Sequence, residues 1–294
     1  MPVIEMTRQQ MDELTDKEDS TQRKIEKKYN PILWRFFKSV SSVFAAVYKD
    51  TGQIVSSKDF SVELSRIIEK QYAKTGDIFS DTFKQNLDKE LVKVTKKGDE
   101  DREEIVAWWI ESRKQAEKRI KEAVAIYAVI MGIIEADLIL DTTDKIIRRV
   151  VNRIQEDALE DGVVLTRSQI AKKAKKEIDK LNKSRVPEIS SNEVPDASEK
   201  AKQTEAQITN AQSEARSLDE GEISTIAILT QLIKTWITKG DEKVRPAHRE
   251  ADGQQQKILD PFIVGGELLM EPKDRSLGAS IENVIKCRCK AIVT

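Results

Sequence analysis

The sequence predicts an α+β fold: an elongated, mostly helical N-terminal body followed by a small α+β C-terminal module. Three observations carry that expectation. Charged residues make up 34% of the 294-residue chain, above the ~25% of an average globular protein, which suits long solvated helical faces. The apolar residues upstream recur at spacings of three and four, the period of a helix. From Trp236 onward the text changes character: the only histidine, both cysteines and five of the eleven glycines are gathered there.

Bulk composition removes several classes. Lys plus Arg is 50 against 51 Asp plus Glu, a net charge of −1, so there is no global pull toward nucleic acid or acidic lipid. The longest apolar run, Ala123 to Ile134, is followed at once by Glu135 and Asp137 and is shorter than the ~20 residues of a membrane span. The N-terminus lacks the basic flank and apolar core of a signal peptide, and two cysteines one residue apart are no secreted disulfide framework. A reducing compartment is expected.

The order of elements follows. Residues 1–30 are polar and are expected to form an N-terminal arm or exposed helix. A helical body is expected over 31–185. Pro31 suits a first helical turn, and Leu33, Phe37, Val40, Phe44 and Val47 draw one apolar stripe up to a turn at Asp50-Thr51-Gly52. Phe60, Leu64, Ile67 and Ile68 mark the next helix, with a stop near Thr75-Gly76. A long element begins after Gly98. In it Ala116, Ile120, Val124, Tyr127, Met131, Ile134 and Leu138 form a seven-residue repeat, the seam of a packed bundle or of a subunit contact. Trp108 and Trp109 near its start are core or interface anchors. Ile147, Val151, Ile154 and Ala158 continue to a stop at Asp161-Gly162.

Thr166, with Gln169 three residues on, is a capping box opening a helix whose stripe is Ile170, Ala174, Ile178 and Leu181. That helix carries Lys172, Lys173, Lys175, Lys176 and Lys180. Over 166–185 eight basic residues face two acidic ones. The row is either a solvated face or a contact for DNA or an acidic partner. Pro187 and Pro195 among serine, asparagine and acidic residues predict a linker over 186–196. The module is then 197–294. It has a helix over Ala197–Ser217, then Ile226–Thr238, whose second half reads as a strand. A turn at Lys239-Gly240-Asp241 follows, and a short helix with Pro246 at its start and Gly253 at its stop. Phe262-Ile263-Val264, Gly265-Gly266 and Glu267-Leu268-Leu269 make a hairpin, and Cys287–Val293 a closing strand with both cysteines on one face.

Trp236 and Thr238, then Asp241, Arg245, His248 and Gly253, then Phe262, Pro272 and Cys287-Arg288-Cys289, stand in the order of a known pattern. Over residues 140–294 the chain resembles the phage Mu F-like minor head protein (head morphogenesis) family of tailed bacteriophages. Glu160-Asp161-Gly162 with Ser168–Ala171, and Ala201, Thr204, Glu205 and Asn210, resemble the segments ahead of that core. The family usually shows an asparagine before its Cys-Arg-Cys, and here Lys286 stands in its place.

The resemblance implies a structural virion component, not an enzyme, with no cofactor. Its expected partners are the portal protein, other head proteins and packaged double-stranded DNA. Its expected location is the capsid interior near the portal, and the host cytoplasm during assembly. A second class stays open, since such domains have been likened to ADP-ribosyltransferase folds. A NAD-dependent transferase would need a glutamate and a nicotinamide-binding Arg or His facing one cleft, and Arg245, His248 and Glu267 are available for those roles. His248, Cys287 and Cys289 could also ligate zinc, with Asp241 or Asp252 as a fourth donor. However, Cys-x-Cys is tighter than the usual zinc spacing, so the expectation is no metal and two thiols packed as small hydrophobes.

Overall fold

The computed structural model describes residues 6–95, 100–219 and 232–294. Four long helices come first: α1 (Arg8–Thr51), α2 (Ser61–Thr95) after a 3-10 turn at Ser57–Phe60, α3 (Glu100–Glu160) and α4 (Arg167–Asp219). Short elements follow: β1 (Ile233–Ile237), α5 (Pro246–Glu250), β2 (Gln255–Lys257), β3 (Phe262–Val264), β4 (Glu267–Leu269), α6 (Ile281–Val284) and β5 (Lys290–Val293). A helical body with a small α+β module at its C-terminal end is therefore what this sequence forms. Gly98 and Ile226–Gln231 lie outside the described residues.

The chain divides into two compact units. One is all helical and consists of Lys24–Tyr72 and Tyr127–Ser191; the other combines Met1–Arg23, Ala73–Ile126 and Asn192–Thr294.

In the helical unit, the expected stripe of Leu33, Phe37, Val40 and Phe44 is buried with Leu64, Ile68, Leu140, Ile147, Ala174 and Ile178. Pro31 lies inside α1 and does not open it. Ile25 and Tyr29 are already buried, two turns and one turn before Leu33 respectively, and the Tyr29 hydroxyl donates to the Lys70 carbonyl at 2.9 Å. The stripe thus crosses the proline, and its burial outweighs the one backbone hydrogen bond lost there. Asp144 accepts from the Ser57 amide at 2.6 Å and the Ser56 hydroxyl at 3.0 Å, which fixes the entry to α2.

The seam of α3 departs from the seven-residue repeat in this unit. Ala128, Gly132, Ala136 and Leu140 face inward, while Ile134 and Leu138 are each 46% exposed. Small residues every four positions let the helix backbone approach α2: a Cβ on Gly132 would sit 2.8 Å from the Ser65 carbonyl oxygen. The large side chains are turned outward as a consequence, and Val129, Ile130, Ile133, Ile134 and Leu138 lie exposed. An 18-residue window of this helix reaches a mean hydropathy of 2.2, apolar enough by composition alone to cross a bilayer, with a third of it buried. α3 ends as expected. Gly162 has φ +65°, and Val163 donates to Ala158 while Gly162 donates to Leu159, the paired bonds of a left-handed helix stop. The capping box at Thr166 also forms, with Gln169 accepting from the Thr166 amide at 2.8 Å and Thr166 Oγ1 accepting from the Gln169 amide at 3.3 Å.

Three sequence expectations need correction. Residues 8–30 are no loose arm, because Met11, Thr15, Glu18 and Gln22 are buried at helical spacing on α1. That stripe is polar in composition, so hydropathy hides it. α2 does not stop at Thr75-Gly76. Gly76 is there for packing, since a Cβ would collide with the Val124 side chain and touch Ala201. Finally, 186–196 is not a linker but the middle of α4. Val186, Ile189, Ser190, Glu193, Val194, Ala197 and Ser198 form a continuous buried face, which carries the helix through both prolines. The division between the two units does fall in this stretch, between Ser191 and Asn192.

In the mixed unit, β1 is the middle strand of an antiparallel sheet with order β2-β1-β5. Its register places Trp236 opposite Ala291 and Thr235 opposite Gln255. β3 and β4 form the expected hairpin, Phe262 opposite Leu269. Gly265 and Gly266 have φ of +60° and +81°, the left-handed pair a two-residue hairpin turn requires.

Candidate functional site

The residues singled out by the sequence converge around Trp236. Its ring is fully buried among Phe262, Val264, Leu269, Cys287, Cys289 and Ala291. It meets Phe262 edge-on at 5.2 Å and His248 edge-on at 5.6 Å. Thr238 at the end of β1 donates its amide and hydroxyl to Asp252 Oδ1 at 2.7 and 3.0 Å, and Arg8 of α1 holds the other oxygen of Asp252 at 2.8 Å. Asp241 takes a two-pronged ion pair from Arg288 at 2.6 and 2.7 Å. Arg245 donates to the Ile285 carbonyl. Gly253, at φ +80°, returns its amide to the Trp236 carbonyl at 2.8 Å. Pro272 is buried in the turn after β4, where Asp274 accepts from the Met270 and Ser276 amides. Most of these side chains are thus committed to holding loops against the sheet.

Cys287, Cys289 and His248 stand apart. Both thiols face one ring nitrogen: His248 Nδ1 lies 3.5 Å from Cys287 Sγ and 3.4 Å from Cys289 Sγ. The three candidate ligand atoms lie within 4.8 Å of one another, and all three residues are buried. The other ring nitrogen, Nε2, is 2.7 Å from Asn283 Oδ1. Asn283 in turn donates to the Val264 carbonyl and to Glu267 Oε2, each at 2.9 Å. Pro246 at the start of α5 and the turn that ends α6 bring these groups together. The hydrogen bond from Cys289, and then His248, draw the Cys287 thiol well below its ordinary pKa against the pull of burial. Cys289 is pushed up by that same bond and by burial. Burial lowers His248, but the bond to Cys287 and its charge outweigh that and leave it raised. The cluster therefore favours one thiolate, on Cys287, beside the imidazole.

Beside the cluster is a crevice of about 10 Å³ rimmed by Lys239, Lys243, Arg245, Lys286 and Arg288. That is room for roughly one water and far too little for a dinucleotide. Glu267 accepts from the Ser280 amide and hydroxyl as well as from Asn283, and those bonds lower its pKa. It acts here as the outer support of the histidine. Lys286 has φ +52°, a left-handed conformation in which asparagine is several-fold enriched. The asparagine of the resembled pattern suits that backbone, and in this chain the Lys286 amide donates to Asn192 Oδ1 at 3.3 Å.

The basic row of α4 belongs to the helical unit and is no part of this cluster. Lys172, Lys173, Lys176 and Lys180 are exposed, while Lys175 is paired with Asp179 at 2.7 Å. Asp157, Asp161 and Glu177 line the same groove as Lys173, Lys176 and Lys180, so a phosphate backbone would meet both signs of charge there. Arg185 is not on the solvated face. It donates to Thr143 Oγ1 and the Ile139 carbonyl at 2.7 Å each and lies over the Phe37 ring.

Sequence reading missed Asn283 and a buried ionic cluster in the mixed unit. Lys202 Nζ contacts Glu18 at 2.8 Å and Glu199 at 3.0 Å. Lys290 of β5 donates to Gln22 at 2.5 Å, and Glu199 accepts from the Ala291 amide at 2.9 Å. The one signal available was the helical spacing of polar residues from Met11 to Gln22.

Compared with known proteins, this chain matches no family model, no curated protein and no solved structure.

Proposed function

We propose that this chain is a structural minor head protein of a tailed bacteriophage, associated with the portal and acting in head assembly, DNA packaging or DNA ejection. One observation carries the reading. Of the residues of the resembled pattern, Trp236, Phe262, Cys287 and Cys289 share one buried core with His248 against it, and Thr238, Asp241, Arg245 and Gly253 hold the loops around it. Residues that come together in this way behave as the determinants of one domain. The transferase reading draws less support, because Glu267 and Arg245 are engaged in holding Asn283, Ser280 and Ile285.

The partner surface is not at the tryptophans. Trp108 and Trp109 are buried, and Trp109 packs with Phe83, Ala206, Leu232, Ile258 and Val293. The contiguous exposed aliphatics of α3, Val129, Ile130, Ile133, Ile134 and Leu138, are the better candidate, since large apolar patches on a folded surface mark interaction sites.

Co-expression with the cognate portal protein tests the reading. A complex that survives gel filtration is expected, together with recovery of the chain from purified particles. Ile130→Asp with Ile133→Asp should abolish the complex and leave the circular dichroism spectrum unchanged. A chain absent from particles, with no affinity for the portal, would sink the proposal.

A further inference from the structure

Two cysteines and a histidine packed only as small core residues have no need to aim their donor atoms at one point. Here they do. Zinc bonds sulfur at ~2.3 Å and imidazole nitrogen at ~2.0–2.1 Å, so tetrahedral angles place sulfur and nitrogen ligands ~3.6 Å apart. The two Nδ1–Sγ separations, 3.5 and 3.4 Å, are close to that edge length. The tight Cys-x-Cys spacing that argues against a metal in the sequence is no obstacle in space, because both thiols reach the same nitrogen.

The surroundings complete the argument. The Asn283 amide nitrogen is held by Val264 O and Glu267 Oε2, so its oxygen must face His248. Nε2 then carries a proton, and Nδ1, the nitrogen facing the sulfurs, is the one left to bind an ion once its own proton is lost. Fixing a ligating histidine by a hydrogen bond on its far nitrogen is the usual outer-shell device of metal sites. A divalent ion with two thiolates is also net neutral, which suits a buried position. Asp241 and Asp252, the carboxylates near enough in sequence to serve as a fourth donor, are tied to Arg288 and to Thr238 and Arg8. The fourth position falls to the crevice beside the cluster, with space for about one water.

We infer that His248 Nδ1, Cys287 Sγ and Cys289 Sγ form a zinc site whose fourth ligand is a single water. Binding releases two protons per ion to solvent, one from Cys289 and the one shared by Cys287 and His248, with no change of oxidation state. The ion joins α5 to the segment entering β5, so it staples the module whether or not the chain serves in a phage head.

The test uses the full-length untagged chain. Elemental analysis after expression in zinc-supplemented medium should find about one zinc per chain. Metal-free protein titrated with Co²⁺ should develop the visible bands of a tetrahedral ion and thiolate-to-cobalt charge transfer. Asn283→Ala should weaken metal affinity by ~10–100-fold, and Cys287→Ser with Cys289→Ser should abolish the charge-transfer band. The Co²⁺ titration needs no variant to fold. Wild-type protein that binds neither ion, or a spectrum unchanged in the double-serine variant, overturns the site.

Discussion

The two units keep their interiors in opposite ways. The helical unit is closed by aliphatic and aromatic side chains, with Gly132 and its neighbouring alanines bringing α3 close to α2. Its part-buried Arg185 is lowered to about 10 by burial and is held by the Thr143 hydroxyl, the Ile139 carbonyl and the Phe37 ring. The mixed unit buries Glu18, Glu199, Lys202 and Lys290 together, and its sheet leans on polar side chains from α1. Apolar packing tolerates exchange of one hydrocarbon for another. A buried ionic cluster is costly to assemble and fails when one member is removed. The mixed unit should therefore be the more brittle of the two, and its integrity should depend on residues far away in sequence.

The largest effect expected from that difference is on truncation. A fragment beginning at Asn192 lacks Arg8, Glu18 and Gln22, the partners of Asp252, Lys202 and Lys290. It should lack the sharp near-ultraviolet dichroism of a packed Trp236 and a cooperative melt. A well-dispersed amide spectrum from that fragment would show the module to be self-sufficient, as a linker over 186–196 would have allowed. In the intact chain, limited proteolysis should spare that stretch, because it is helical with one face buried.

The next effect is on the ionic cluster itself. Lys202→Met strands Glu18 and Glu199 in a buried place and should cost about 3–5 kcal/mol, the usual penalty for an uncompensated buried charge. Adding Glu18→Leu should restore part of it. If chemical denaturation shows the single change to cost no more than an exposed substitution, the contrast between the units is wrong.

What was legible in the sequence follows from the same contrast. The stripe Leu33–Phe44, the Thr166 capping box, the stop at Gly162 and the Gly265-Gly266 hairpin all rest on local chemistry, and all formed. The polar half of α1 was unreadable because its buried face is Thr15, Glu18 and Gln22, which hydropathy assigns to solvent. The α4 prolines misled for a related reason: a proline costs one helical bond locally, and the buried face that compensates depends on partners elsewhere. The convergence of Cys287, Cys289 and His248 was half legible. Their scarcity marked them, but nothing in the spacing revealed Asn283, whose placement comes from the turn after β4 and the short helix α6.

A smaller, pH-dependent effect separates the units further. Burial pushes Glu205 up to about 7, against the lowering influence of Ser80 and Arg113. The folded state then holds a proton that the unfolded chain releases above its ordinary value near 4.5. Stability should be highest below that value and fall as pH rises toward 7, by at most ~3 kcal/mol for a shift of this size. Glu205→Gln should remove part of the slope and raise the melting temperature at pH 8, while Glu271, also lifted to about 7 by burial, keeps the remainder. A variant that melts lower than wild type at pH 8 would mean that the carboxylate is wanted ionised.

The smallest effect lies in the helical unit and asks whether its local signals carry energy of their own. Thr166 accepts from the Gln169 amide through Oγ1, and Gln169 accepts from both the Thr166 amide and hydroxyl. Thr166→Ala removes the hydroxyl but leaves the Gln169 side chain free to accept from the backbone. The loss should be about 1 kcal/mol, the common cost of a helix cap. Because the box sits at the exposed start of α4, the change should touch neither the environment of Trp236 nor the binding of Co²⁺ at His248. Denaturation followed by far-ultraviolet dichroism measures the first, and the cobalt spectrum the second. A loss of several kcal/mol, or a disturbed cobalt spectrum, would mean that the helical unit is as brittle as the mixed one, and that its apolar core does not buffer it as proposed.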